Sequence, residues 1–188
     1  MDLAEQERHK YAKIWARPEY HVGSPGERAV PIFLHYVPPA RRTTVVDAGC
    51  GSGRGAVRLA HAGFEVTCLD FCRTAVEPAA QGFPYIDAVL WEMPPALSFD
   101  WVYCVDVLEH IPTEKVDAVL DGLARLATQG GFLQICCLPD NHGSLIGDTL
   151  HLTIQKPNWW KPRIAERWPI VADHSTGEYA TYVVGAPR

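Results

Sequence analysis

No stretch of the 188 residues approaches the ~18 consecutive apolar residues that a membrane-crossing helix needs, so no span is expected. The N-terminus, MDLAEQERHKYAKIW, is charged and amphipathic and lacks the apolar run of a secretory leader, which makes a cytoplasmic location the expectation. No two cysteines stand in C-x-x-C spacing, which excludes a zinc ribbon or a thioredoxin-like redox centre. Cys68, Cys104, Cys136 and Cys137 instead fall in apolar runs that read as buried strands, where cysteine acts as a small hydrophobe. All six cysteines are therefore expected as free thiols. An excess of basic residues is missing as well. The formal net charge is −5, and the clustered Lys and Arg of a duplex nucleic-acid binder are not there. Internal repeats, low-complexity segments and linkers are absent too.

What is present is an ordinary globular composition, 47% apolar, at a length that suits one domain. A chain of this size buries roughly 70% of its unfolded surface and folds without disulfides or metals to hold it. Residues 2–16 read as a helix closed by Pro18. Ser24-Pro25-Gly26-Glu27 reads as the start of a second helix that runs to Tyr36, with Ser24 as cap and Pro25 at the first helical position. Short apolar runs then alternate with helical ones. Strands are predicted over 44–48, 64–70, 85–90, 100–105 and 132–138, with helices over 54–62, 72–80 and 113–128, the last stopped by Gly130-Gly131. A further helix is predicted over 158–167. Strands over 170–174 and 179–184 are separated by the hairpin signal Ser175-Thr176-Gly177-Glu178. Alternation of this kind gives a doubly wound, mostly parallel α/β sheet covered on both faces. The expected organisation is one domain over 1–188, with a helical cap over 1–40 and a Rossmann-like core over 44–188.

The strongest local signal is Asp47-Ala48-Gly49-Cys50-Gly51-Ser52-Gly53, set between a strand and a helix. Glycines there let the chain turn tightly and approach a ligand, and the helix start presents free N–H groups. Doubly wound sheets bind nucleotides at that edge. The spacing is not the G-x-G-x-x-G of dinucleotide enzymes. Arg54 stands where a phosphate-binding loop would carry lysine, so neither of those motifs applies. Asp70, at the end of the next strand, can accept both hydroxyls of a ribose.

In these residues the sequence resembles the class I S-adenosylmethionine-dependent methyltransferases. Asp47-x-Gly49-x-Gly51-x-Gly53 is similar to that family's first motif and Asp70 to its second. Asp100-Trp101-Val102 with Val107-Leu108-Glu109-His110-Ile111 is similar to its fourth-strand motif, and Gly130-Gly131-Phe132-Leu133 to the turn into its fifth strand. The terminal hairpin matches the family's antiparallel seventh strand. The resemblance implies a seven-stranded sheet and S-adenosylmethionine as cofactor, with S-adenosylhomocysteine as product. Asp47, Gly49, Cys50, Gly51 and Gly53 would lie against its methionine and ribose, Asp70 would hold the ribose, and Phe71 would lie along the adenine. Asp87, or Leu90 and Trp91 in its place, would meet the adenine amine, with Val105 and Asp106 bordering the cofactor. Tyr11, Trp15 and Tyr20 are aromatic candidates to cover it or simply to pack.

Methyl transfer from a sulfonium needs alignment above all, and a hydroxyl acceptor also needs its proton removed. His142 and His151, in the loop after the fifth strand, are the candidate bases, since an ordinary imidazole titrates near neutrality. Asp106, Glu109 and His110 are a candidate divalent-metal site for Mg²⁺. Their pattern resembles the metal-dependent O-methyltransferases of ubiquinone biosynthesis and of small-RNA methylation, which start with Glu where this chain has Asp106. The Asn/Asp-Pro-Pro-Tyr/Phe motif of nucleic-acid amino-methyltransferases and the Pro-Cys nucleophile of cytosine enzymes are missing. The expected activity is methylation of a small-molecule acceptor, at a hydroxyl. A metal-assisted nucleotide or RNA methyltransferase and a non-catalytic S-adenosylmethionine-binding protein are the alternatives. The sequence specifies neither the acceptor nor the oligomeric state.

Overall fold

Pro25 opens a helix that Ser24 caps, its hydroxyl accepting from Glu27 N–H, and the same logic of caps and breakers sets most boundaries in the chain. The computed structural model describes residues 2–188. Its helices are α1 (Leu3–Trp15), α2 (Pro25–Tyr36), α3 (Arg54–Ala62), α4 (Val116–Leu126) and α5 (Pro157–Arg167). Its strands are β1 (Thr44–Ala48), β2 (Glu65–Asp70), β3 (Tyr85–Asp87), β4 (Phe99–Val105), β5 (Ala127–Cys136), β6 (Ile170–Asp173) and β7 (Tyr179–Val184). Asp2 begins α1 with a reciprocal box, accepting from Glu5 N–H while Glu5 accepts from the Asp2 N–H.

The strands form one sheet in the order β3-β2-β1-β4-β5-β7-β6. β1 to β5 pair in parallel, and β7 inserts antiparallel between β5 and β6. Alternation along the strands sorts the core into two layers. Val45, Tyr103, Phe132 and Val183 face α2 and α3, where Phe33 and Leu59 are fully buried. Val46, Val102, Leu133 and Tyr182 face α4 and α5, against Leu120, Leu123, Trp160 and Trp168. α1 belongs to neither layer. It packs over the end of the sheet with Tyr11 and Ile14 against Cys72, Ala75 and Leu150. All six cysteines are buried free thiols.

Besides α4, which is shorter at both ends than its predicted 113–128, three predicted elements differ in extent. The third strand stops at Asp87 rather than Leu90, because residues 90–92 turn inward so that Leu90 and Met93 cover α4. The helix expected over 72–80 is two single turns, Arg73–Ala75 and Pro78–Ala80, since Pro78 cannot donate to a continuing helix. The fifth strand starts at Ala127, directly from α4, and carries Gly130-Gly131 within it instead of after a helix stop. Gly130 has φ 149°, and any Cβ there would run into the Val184 carbonyl oxygen, so its role is close approach of β7.

Trp160 is fully buried between α4, α5 and the sheet, and its indole N–H donates to Gln155 O. Trp160→Ala is expected to cost roughly 3–5 kcal/mol in urea denaturation. A loss below about 1 kcal/mol would show that the site collapses without penalty.

Candidate functional site

β1, β2 and β4 end side by side, so the segments that leave them converge at one edge of the sheet. The chain leaves β1 through the glycine loop, where Gly49 and Cys50 N–H both donate to Leu69 O and Gly53 N–H donates to Cys50 O. Gly51 has φ 50°, and a Cβ on it would stand 2.8 Å from the Trp15 ring, so glycine is what lets that indole lie on the loop. Asp70 fixes the loop from the next strand: its Oδ2 accepts from Gly51 N–H at 2.9 Å and its Oδ1 from Cys72 N–H at 2.8 Å. Burial raises the Asp70 carboxyl above its usual range in spite of those bonds. Asp47 lies behind the loop, 4% exposed, with Oδ2 lacking any partner. Burial first, and the Asp70 charge second, push its carboxyl up to about 7.

Two cavities meet here. The smaller, about 90 Å³, is lined by Glu7, Tyr11, Asp70, Phe71, Leu90 and Trp91 among others. The larger, about 510 Å³, runs from Asp47, Gly49, Cys50 and Gly51 past Val105 and Asp106 to His142 and His151. Trp15, Tyr20, Gly49, Gly51, Asp106 and His110 border both. The larger has the size of a small-molecule site, and the smaller is well below the roughly 300–1,000 Å³ of such sites. Tyr11, Trp15 and Tyr20 make the wall that the cap contributes.

Beyond β4 the backbone turns sharply at Asp106, a non-glycine residue with φ 52°. Such a conformation costs energy and is held by its surroundings. Here Asp106 N–H donates to Gln134 O, and its Oδ1 accepts from Gln134 Nε2. Glu109 follows on a single helical turn, fully buried, with Oε1 accepting from Cys136 N–H and Oε2 unpartnered. Burial, then the Asp106 charge, raises its carboxyl well above the usual range. The Glu109 carbonyl accepts from Leu152 and Thr153 N–H, which ties the loop after β5 to this turn. That lacing brings His151 beside His110, ring centroids 4.7 Å apart, edge to face. One ligand atom each from Glu109, His110 and His151 lies within 4.8 Å of the others. His151 Nδ1 is 2.7 Å from Leu138 O, which can only accept, so Nδ1 carries the proton and Nε2 keeps the lone pair. His110 is held neutral, its pKa lowered to about 3 by burial first and by His151 second.

The remaining sequence candidates are distributed as follows. Phe71, Leu90 and Trp91 line the small cavity, whereas Asp87 is exposed and paired with Arg8 Nη1 at 2.6 Å, away from either cavity wall. Gly53 shapes the loop without bordering a cavity, because a Cβ on it would overlap Ala80. His142 borders the large cavity from an exposed turn, edge-on to Tyr20. That turn is held by Asp140, whose carboxylate accepts from His142, Gly143 and Leu150 N–H. The structure joins His151, not Asp106, to Glu109 and His110. Among the lining residues that sequence reasoning missed are Glu7, Arg28 and Tyr179. Glu7 was readable as one turn before Tyr11 on the same helix face; Arg28 and Tyr179 carried no local signal.

The residues present fit an adenosyl cofactor. A carboxylate stands at the end of β2 beside an apolar slot flanked by Phe71, and Asp47 Oδ2 behind the glycine loop has no hydrogen-bond partner. Residues 45–131 match the family model for a methyltransferase domain. The ubiquinone biosynthesis O-methyltransferase of Rickettsia akari is 30% identical over 87 residues, covering 43% of this chain and 35% of that protein. The magnesium-protoporphyrin O-methyltransferase of Synechocystis is 36% identical over 92 residues, covering 44% of this chain and 40% of that protein. Each match spans less than half the length of these curated relatives. The crystal structure of magnesium protoporphyrin IX methyltransferase from Synechocystis with bound S-adenosylmethionine is similar in fold. Its TM-score is 0.72 at 22% identity, covering 100% of this chain and 98% of that one.

Asp70→Ala is expected to weaken S-adenosylhomocysteine binding by roughly 1.5–3 kcal/mol in calorimetry, since it removes charge-assisted hydrogen bonds. Unchanged affinity would exclude Asp70 from the site. Asp47 gives a pH test. Its carboxyl titrates near 3.8 when unfolded and about 7 when folded, so the native state binds the extra proton and stability falls as pH rises through that window. Asp47→Asn should therefore gain on the wild type by about 1 kcal/mol or more at pH 8 in urea denaturation, with the gap closing toward pH 4. Parallel pH profiles would show that Asp47 is ionised in the fold at no cost.

Proposed function

We propose that this chain, which has the class I S-adenosylmethionine-dependent methyltransferase fold, transfers a methyl group to a hydroxyl oxygen of a small molecule. The observation that carries this reading is an imidazole with a free lone pair, His151 Nε2, on the cavity that the glycine loop also borders. A hydroxyl acceptor needs such a group to take its proton, while a neutral amine does not. The two O-methyltransferase relatives point the same way. When bound, the cofactor supplies an activated methyl on a good leaving group. The chain's own residues do the rest. Asp70, Gly49 and Gly51 orient the adenosyl end, the rings of Tyr11, Trp15 and Tyr20 exclude water, and His151 receives the acceptor's proton. Residues 2–40 act as a cap rather than a separate unit.

A second reading, exclusive of the first because His151 Nε2 has one lone pair, is that Glu109, His110 and His151 would hold a divalent metal, which would lower the acceptor hydroxyl's pKa in place of a base. Glu109 Oε2 has no hydrogen-bond partner, and a metal ion would displace the proton that burial leaves on this carboxyl. Two imidazoles and one carboxylate suit Zn²⁺ or another nitrogen-preferring ion better than Mg²⁺, which takes oxygen ligands.

Incubation with S-adenosylmethionine and separate panels of phenols, catechols and amines, reading S-adenosylhomocysteine release, tests the acceptor class. Turnover confined to amines would overturn O-methylation, and cofactor binding without turnover on any panel would make the chain a binding protein. For the metal, Zn²⁺ is expected to bind the free protein in calorimetry, and His110→Ala and His151→Ala should each weaken it at least tenfold. Equal Zn²⁺ affinity in wild type and both variants would remove the site.

A further inference from the structure

We propose that Tyr11 is a positioning residue that couples occupancy of the adenosine side to the orientation of His110 on the reaction side; the proposal rests on the function inferred above. Four rings stand in contact from one cavity to the other. Tyr11 is edge to face with Phe71 at 5.4 Å and with His110 at 5.8 Å, and His110 in turn with His151 at 4.7 Å. Phe71 and Tyr11 line the small cavity, His151 lines the large one, and His110 lines both.

The hydrogen bonds give the coupling a direction. His110 Nδ1 lies 3.1 Å from Leu150 O, which can only accept, and 2.7 Å from Tyr11 Oη. Nδ1 therefore carries the proton and shares it between the two oxygens, leaving the lone pair on Nε2. Tyr11 is then an acceptor toward His110, and among the described residues its own hydroxyl proton has no acceptor. It is free for an oxygen of a group bound in the small cavity. Burial keeps the Tyr11 phenol protonated. A hydroxyl that donates to a bound group becomes a better acceptor for the imidazole proton, because linked hydrogen bonds polarise one another. Filling the adenosine side therefore strengthens the Tyr11–His110 bond and fixes the His110 ring plane.

α1 is built to transmit such a change as one body. Arg8 pairs with Asp87 and donates to Phe71 O on the adenosine side. Lys10 donates to Thr149 O and Arg17 to Leu145 O on the other side, in the loop that carries His151. Lys10 is itself held by a buried pair with Glu7 at 2.7 Å.

The test is nuclear magnetic resonance of ¹³C-labelled histidine rings, assigned with His110→Gln, during titration with S-adenosylhomocysteine. In the wild type the His110 ring is expected in the Nδ1–H tautomer, and its signals should move as ligand binds. Tyr11→Phe keeps the ring packing, and an unchanged melting temperature would show that the cap is still docked. In that variant the ligand should bind roughly tenfold more weakly, and the His110 signals should no longer follow it. Phe71→Leu, which keeps the Tyr11 hydroxyl, should weaken the response without abolishing it. A His110 response of equal size in Tyr11→Phe overturns the coupling alone. A wild type that binds no S-adenosylhomocysteine overturns the function reading and the coupling with it.

Discussion

Asp70 at the end of β2 holds the Gly51 N–H at the end of β1, and that single bond sets where everything else at the sheet edge can stand. It fixes the loop in the shape that glycine favours at residue 51, and that bare backbone lets the Trp15 ring approach. Trp15 orients the end of α1, so a helix outside both core layers still has a defined seat. Tyr11, one turn earlier, then reaches His110. The parallel pairing of β1 with β2 and β4 underlies the arrangement, since it makes three strand ends coincide.

The same edge concentrates acid. Asp47, Asp70, Asp106 and Glu109 all have carboxyls raised by burial. In the free protein these groups are a cost, because each must either give up water as an anion or keep its proton. Structural salt bridges do not relieve them: the ion pairs of α5, such as Arg167 with Asp121, lie on the opposite layer. A sulfonium-bearing cofactor and a divalent cation are the kinds of ligand that would relieve them. Stability is thus given up at the edge where binding recovers it. The rest of the domain, with Trp160, Trp168, Phe33 and Phe132 fully buried, supplies the reserve.

The glycine loop, Asp70, the succession of strands along the chain and the terminal hairpin were legible because each is a local pattern: a strand period, a turn residue, an acid at a strand end. Helix α3 matches its predicted bounds for the same reason, being framed by Gly53 and Gly63. Gly130 was misread because a glycine pair after an amphipathic run is a helix stop by every local rule. Its actual partner, the Val184 carbonyl, is more than fifty residues away. Asp87 was assigned by position along β3, and nothing near it in sequence announces that Arg8 takes its carboxylate.

By itself the sequence determined the fold class and the edge of the sheet where the glycine loop and Asp70 meet, because periodicity and turn residues act within a few positions of one another. It also presented His142 and His151 as equals, both in a loop after β5. Only the tertiary structure separated them. Hydrogen bonds from residues 152 and 153 to the Glu109 carbonyl draw His151 against His110, while Asp140 holds His142 on an exposed turn. Which side chains converge depends on contacts between segments forty residues apart, and no pattern within either segment encodes that distance.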